Sequence, residues 1–522
     1  MKKFLLLSVM MIAILALVAG CGNNNDDGQP HGGTTNQPPT EISVWFMGGS
    51  ATDDSDVIAA ANARLLELGV NVVINPVWTG GWAMGEPAQM ALDTGDTSVD
   101  IVWAGSWGLN FWTNARRGNF RRLDDPSNNL LARYGQDMMR IVPDTLWGGF
   151  TMDGPQGFGV YGIPGYKDYA QMYVWDVNNT LLSQLGFNFD DIFDMNGLNY
   201  DVIFDPVFVD AMQAAKDLMG PTFFPLAHEG GNWARFFSHM DMDITGVDVF
   251  HFAFDPYNPA EPRGHFPTIT VETPEYVRVL ERLHYFYQRG FIDPRTSIPG
   301  QAVDAFIAQT NAAEYLFSIR VYAYGHTSEA SSTRGIDARF PRISNPIVSS
   351  ISSAGSGFGV SIYSRNPAAA VQFMNAWYSD TILADILAEG VEGTHFTRNS
   401  DGTITRLPGG RDRYSTWRFG MGNLFALTPL DTEGVGYLER FRAYNAAGIG
   451  TNFLGFTFND ENVLIERAAV ASVTNEFMQV LQSGVADPTV TIPQYLSALR
   501  ANGLDRIQEE LNRQLQEFYS AR

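Results

Sequence analysis

The feature that most constrains this chain is an alternation of periods near its start. From Glu41 it reads EISVWFMGG, rich in β-formers. SATDDSDVIAAANARLLELG follows, with an acidic start and Ile58, Ala61, Leu65 and Leu68 on one face. Then come VNVVINPVW, PAQMALDTGD closed by Gly95, and the buried-strand pattern SVDIVWAGSW. The apolar period switches between two and 3.6 residues. Strand–helix–strand–helix–strand within about 60 residues predicts a parallel α/β sheet with right-handed crossovers. Ligands of such sheets sit beyond the carboxyl ends of the strands. Here those ends carry Gly48-Gly49-Ser50 and Gly105-Ser106-Trp107.

FGVYGIPGYKDYAQMYVW, dense in Gly, Pro and Tyr, marks a crossing between lobes. Residues 168 to about 350 read as a second α/β unit. In it, VETPEYVRVLERLHYFYQRGFID is a helix with Pro274 early, Val277, Leu280, Leu283 and Phe286 on a face, and Gly290 as its stop. SSAGSGFGVSIYSRNPAAAVQFMNAWYSD gives a strand and then a helix opened by Asn366-Pro367, with Trp377 and Met374 assigned to core. In the last helix Leu504, Ile507, Leu511, Leu515 and Phe518 make one stripe. Apolar residues are 45% and charged residues 17% of the 522, enough for a sizeable interior and for two domains or more.

Ahead of all this, Lys2 and Lys3 precede an uncharged run of 16 residues, Phe4 to Ala19. That is short of the ~20 residues of a membrane span and fits a secretory leader. Val18-Ala19-Gly20-Cys21 resembles the bacterial lipobox, which implies that Cys21 becomes the lipid-bearing N-terminus. Gly22 to Thr40 has no aliphatic or aromatic residue and is expected to be a flexible tether. Cys21 is the single cysteine, so no intrachain disulfide and no Cys-based zinc site is available. A formal charge of −23 argues against nucleic acid and against membrane contact through a basic patch.

The order of the pieces resembles bacterial extracellular solute-binding proteins, the family-1-like sugar-binding lipoproteins of ABC importers. The residues that carry the resemblance are ALDTGDTSVDIVW, VYGIP, GFGVSIYSRNPAAAVQFMNAWYSD, EGVEGTHF and the C-terminal stretch from GFTFNDENV onward. The resemblance implies an α/β, two-lobe periplasmic-binding-protein-like fold of type II, with the ligand cleft between lobes and extra C-terminal helices. It divides the chain into a signal peptide (1–20), a tether (21–40), a first lobe (41–167 and 352–400), and a second lobe with the helical module (168–351 and 401–522). The implied partners are a small solute, most simply an oligosaccharide, the permease subunits of an ABC importer, and the membrane through the lipid. A monomer on the extracellular face, without cofactor, is expected.

A sugar cleft needs flat aromatics for C–H faces and polar groups for hydroxyl edges. The ligand-binding candidates are Gly48, Gly49, Asp53, Trp103, Ser106, Trp107, Tyr161, Tyr166, Trp233, Trp417 and Asn423. Each aromatic has a packing alternative, and Gly48, Gly49 and Asp53 have that of a tight turn and helix cap. Trp78 and Trp82 flank Gly80-Gly81, and Arg418 is a weaker candidate.

No catalytic signature is present. There is no phosphate loop and no Gly-x-Ser-x-Gly elbow, and HEGGN has Asn232 where a second zinc-binding His would stand. Asp241, Asp243, Thr245 and Gly246 sketch a calcium loop, but its twelfth position is Phe252 rather than Glu. No metal site is therefore expected. A receptor for peptides or other non-sugar solutes, a sensor subunit, and a secreted glycoside hydrolase with a carboxylate pair stay open.

Overall fold

The structure is a computed structural model that describes residues 37–48, 51–79, 85–231, 245–252, 254–255, 258–262, 266–322, 324, 334–451 and 453–520. Cys21, with the leader and most of the tether, lies outside the described residues.

The first lobe is built on the strand Thr40–Phe46, which buries Ile42, Val44 and Phe46 alternately along its length. It pairs in parallel with Val72–Trp78 on one side and Ile101–Ala104 on the other. Gly357–Val360 adds antiparallel beside Ile101–Ala104, and Ile163–Pro164 antiparallel beyond it. The parallel expectation thus holds for the first three strands. Gly357–Val360 alone runs the other way, and Ile163–Pro164, antiparallel to it, runs again with the first three. The helix Asp54–Glu67 buries Val57, Ile58, Ala61 and Leu65, with Asp54 and Asp56 at its positive end. Leu68, expected on that face, is the exposed C-cap, where Gly69 turns the chain at φ 75°. The helix Pro367–Ser379 buries Phe373, Met374 and Trp377, and Trp377 meets Phe46 edge-on at 5.7 Å.

The second lobe has the sheet order Ala338–Arg339, Met172–Asn178, Phe317–Tyr322, Leu226–Ala227. Phe317 stacks on Phe208 at 4.3 Å, and Trp175 joins them. The helix Pro274–Gln288 faces this core with Tyr276, Val279, Leu280, Leu283 and Phe286, while Val277 packs at its edge. The helices Leu464–Gln482, Pro488–Ala501 and Leu504–Ser520 complete the same core through Val470, Leu481, Tyr495, Leu504, Ile507, Leu511 and Leu515.

Among the described residues, three crossings join the lobes and lie side by side. Gln171 and Ile347 exchange both backbone hydrogen bonds at 2.8 Å. Ile347–Val348 pairs in parallel with Ile449–Gly450. The chain returns from the first lobe later than the expected boundary at residue 400. The Tyr414 hydroxyl donates to the Leu387 carbonyl at 2.8 Å, and Met421, Ala426 and Leu427 share a core with Phe46 and Trp377. The return falls after Leu430, because these apolar residues are buried on the first sheet.

Candidate ligand cleft

Beyond the strand Ile101–Ala104 the chain turns sharply at Gly105. A Cβ there would stand 2.8 Å from the Gly355 carbonyl oxygen, so only glycine admits the approach. The turn is stitched to the segment entering the first lobe. The Ser106 amide donates to the Ala354 carbonyl at 2.8 Å, and its hydroxyl to the Ile351 carbonyl at 2.9 Å. The Trp107 indole donates to the Gly355 carbonyl at 2.8 Å, leaving its ring 40% exposed.

Four aromatic rings gather here. Trp107 lies 5.2 Å from Trp103, 5.9 Å from Trp417 and 5.8 Å from Phe419, and Trp417 stacks on Phe419 at 4.9 Å. Trp103 is fully buried and donates to the Ser356 hydroxyl at 2.8 Å, which makes it the floor of the cluster. The Lys167 ammonium stands 4.1 Å over the Phe419 ring. The turn carrying Trp417 and Phe419 is fixed by charge. Arg418 between them contacts Glu433 at 2.7 Å and Glu389 at 3.2 Å, and Arg406 also pairs with Glu389 at 2.7 Å. Burial works against the Arg418 charge, but the two carboxylates overcome it and hold its pKa above the usual arginine value.

The other candidates separate from this cluster. Tyr161 is fully buried, its hydroxyl donating to the Gly157 carbonyl at 2.8 Å and accepting from the Gln156 amide at 3.0 Å. Asn423 is buried, donating to the Tyr378 carbonyl at 2.8 Å and accepting from the Phe425 amide at 2.9 Å. Both serve the internal framework. Tyr166 packs on Phe425 at 4.2 Å, and burial pushes its hydroxyl pKa up. Asp53 at the start of the helix Asp54–Glu67 pairs with Arg413 at 2.8 Å and His395 at 3.1 Å, which engages its carboxylate within the lobe. Gly48 turns the chain at φ 131° beside the Trp78 ring. Gly49, Trp82, Trp233, Asp241 and Asp243 lie outside the described residues.

Between the lobes is a cavity of about 320 Å³, at the small end of the ~300–1,000 Å³ of ligand pockets. Ser106, Trp107, Asn110 and Arg116 face it from the first lobe; Asp248, Thr457, Asp460 and Arg467 face it from the second. Local patterning gave no signal for Arg116 or Arg467, since each reads as a surface arginine on a helix. Among the described residues no group of three or more His, Cys, Asp or Glu is placed to hold a metal. No described helix is long and apolar enough to cross a membrane.

Two α/β lobes, side-by-side crossings and a cavity between them are the architecture of extracellular solute-binding proteins. The particular likenesses follow. Residues 452–520 match a family model described as a domain of unknown function, DUF3502. The carbohydrate ABC transporter substrate-binding protein of Streptococcus pneumoniae is 22% identical over 527 residues, covering 99% of this chain and 98% of that one. The crystal structure of the N-glycan transport solute binding protein NgtS, also from S. pneumoniae, superposes with TM-score 0.76 at 20% identity over 92% of this chain and 99% of that one. Its complex with Man5GlcNAc gives TM-score 0.73, again at 20% identity, with the same coverage of both chains.

Proposed function

We propose that this chain is an extracellular receptor that captures an oligosaccharide between its lobes and delivers it to an ABC importer. The observation that carries this reading is the half-exposed Trp107 at the cavity wall, backed by Trp417 and Phe419 and surrounded by polar side chains. A flat ring for the sugar face beside hydrogen-bonding groups for its edge is the chemistry a glycan needs. The glycan and the transport roles for which the similar proteins are named support the same assignment. Hinge bending at the three crossings buries the solute. We assign the anchor to a lipid on Cys21, with the protein a monomer on the outer face of the membrane. Palmitate labelling of wild type, lost in Cys21→Ala, tests the anchor.

The test of the receptor is a thermal-shift screen against mono- and oligosaccharides, amino acids and peptides. A ligand at a hundredfold excess over Kd stabilises by about 2.7 kcal/mol. A shift confined to sugars is expected. A shift with peptides alone overturns the sugar assignment.

A further inference from the structure

The C-terminal module has no role assigned to it. Its three helices are part of the second-lobe core: Leu464–Gln482 and Pro488–Ala501 pack on Pro274–Gln288, and Leu504, Ile507, Leu511 and Leu515 are fully buried against those two helices. A module built in this way cannot swing away from the lobe without opening that core. What it presents at its leading edge is therefore a fixed surface.

That edge is the turn at residues 456–460. Phe456 and Phe458 are 4% and 5% exposed, and Phe456 packs edge-on against Phe518 at 5.4 Å. Thr457 between them is only partly buried and lines the inter-lobe cavity. The turn is also tied to the second crossing, because the Ser350 hydroxyl accepts from the Gly455 amide at 2.9 Å and donates to the Phe453 carbonyl at 3.3 Å. Seven residues after Asp460, Arg467 donates to the Thr245 carbonyl at 3.0 Å and pairs with Asp460 at 3.0 Å. Asp460 and Arg467 line the same cavity as Arg116 of the opposite lobe, so this edge stands across the cleft from it.

We infer that the C-terminal module forms, beside Asp248, the second-lobe wall of the ligand site, with Thr457, Asp460 and Arg467 facing Trp107 and Arg116 and determining which sugar fits. This rests on the receptor reading above. The sugar stacks on Trp107, and its hydroxyl edge meets the guanidinium, carboxylate and hydroxyl groups of the module. Arginine forks suit paired oxygens on a ligand edge.

The test is titration of wild type and Thr457→Phe with Man5GlcNAc and with a di- to pentapeptide mixture, together with hydrogen exchange of the wild type. Thr457→Phe adds a ring to the cavity wall. It is expected to weaken oligosaccharide binding at least tenfold with an unchanged thermal midpoint, and the sugar is expected to slow amide exchange at residues 453–463. Thr457→Phe that binds the sugar as wild type does, with no added protection there, overturns the wall and leaves the receptor standing. Binding of peptides alone, weakened in Thr457→Phe, overturns the sugar and keeps the wall. A wild type that binds neither overturns both.

Discussion

Asn445 donates its side-chain amide to the Lys167 carbonyl at 2.9 Å and accepts from the Tyr169 amide at 3.1 Å. One buried side chain thereby joins the third crossing to the first. The bond to the Lys167 carbonyl is buried and that from the Tyr169 amide partly so, and buried backbone groups need such partners. Replacement by leucine, similar in size, is expected to lower stability by about 2 kcal/mol, since each orphaned group costs roughly 1–3 kcal/mol. Urea unfolding reads this as a lower midpoint at unchanged m-value.

Trp107 is the ring through which the cleft meets a ligand face. Trp107→Ala is expected to weaken oligosaccharide binding tenfold or more, at least about 1.4 kcal/mol. Trp107→Phe keeps a flat face and should fall between the two. The ring is 40% exposed, so stability is expected to drop by no more than about 1 kcal/mol. Calorimetric titration beside thermal melts separates the two effects.

His228 is buried, and its Nδ1 accepts from the Gly230 amide at 2.7 Å. Burial pushes its pKa down to about 3. Below about 6.5 the unfolded chain therefore binds a proton that the folded chain refuses. Stability contributed by this group is complete above pH 6.5 and is lost as pH falls toward 3. From pH 7 to pH 5 the loss is about 2 kcal/mol from this residue. Urea midpoints at the two pH values should converge in His228→Asn relative to wild type.

Glu389 is buried between Arg406 and Arg418. Glu389→Ala leaves two guanidinium groups without their shared carboxylate and is expected to cost about 3–5 kcal/mol. It also frees the turn carrying Trp417 and Phe419, so ligand affinity should fall with the melting temperature. Circular-dichroism melts and titration of the same sample check both.

What the sequence reveals and what it hides divide by distance along the chain. The strand Thr40–Phe46, the helix Asp54–Glu67 and the stripe from Leu504 to Leu515 are local periodic patterns, and they fold as they read. Trp103, Trp107 and Trp417 were candidates singly, yet their convergence joins segments some 300 residues apart and no local period encodes it. Tyr161 and Asn423 carry the residue types of a sugar site, but their polar atoms are consumed by the backbone. Arg116, Arg467 and Thr457 face a cavity that exists only once two lobes meet. The boundary at residue 400 failed because the segment around Met421 and Leu427 finds its apolar partners in the sheet formed at the start of the chain.

The packing of the helices Leu464–Gln482 and Pro488–Ala501 on the helix Pro274–Gln288 has a consequence in time. At about 5–20 residues per second, the ribosome adds these two helices roughly ten seconds or more after the helix they will cover. Throughout that interval the helix Pro274–Gln288 and its neighbours lack their lid. A polypeptide cut short before Leu464 would keep that apolar face turned to water, the kind of surface through which incomplete chains aggregate. Premature termination near the end of the reading frame should therefore yield insoluble material rather than a weakened receptor.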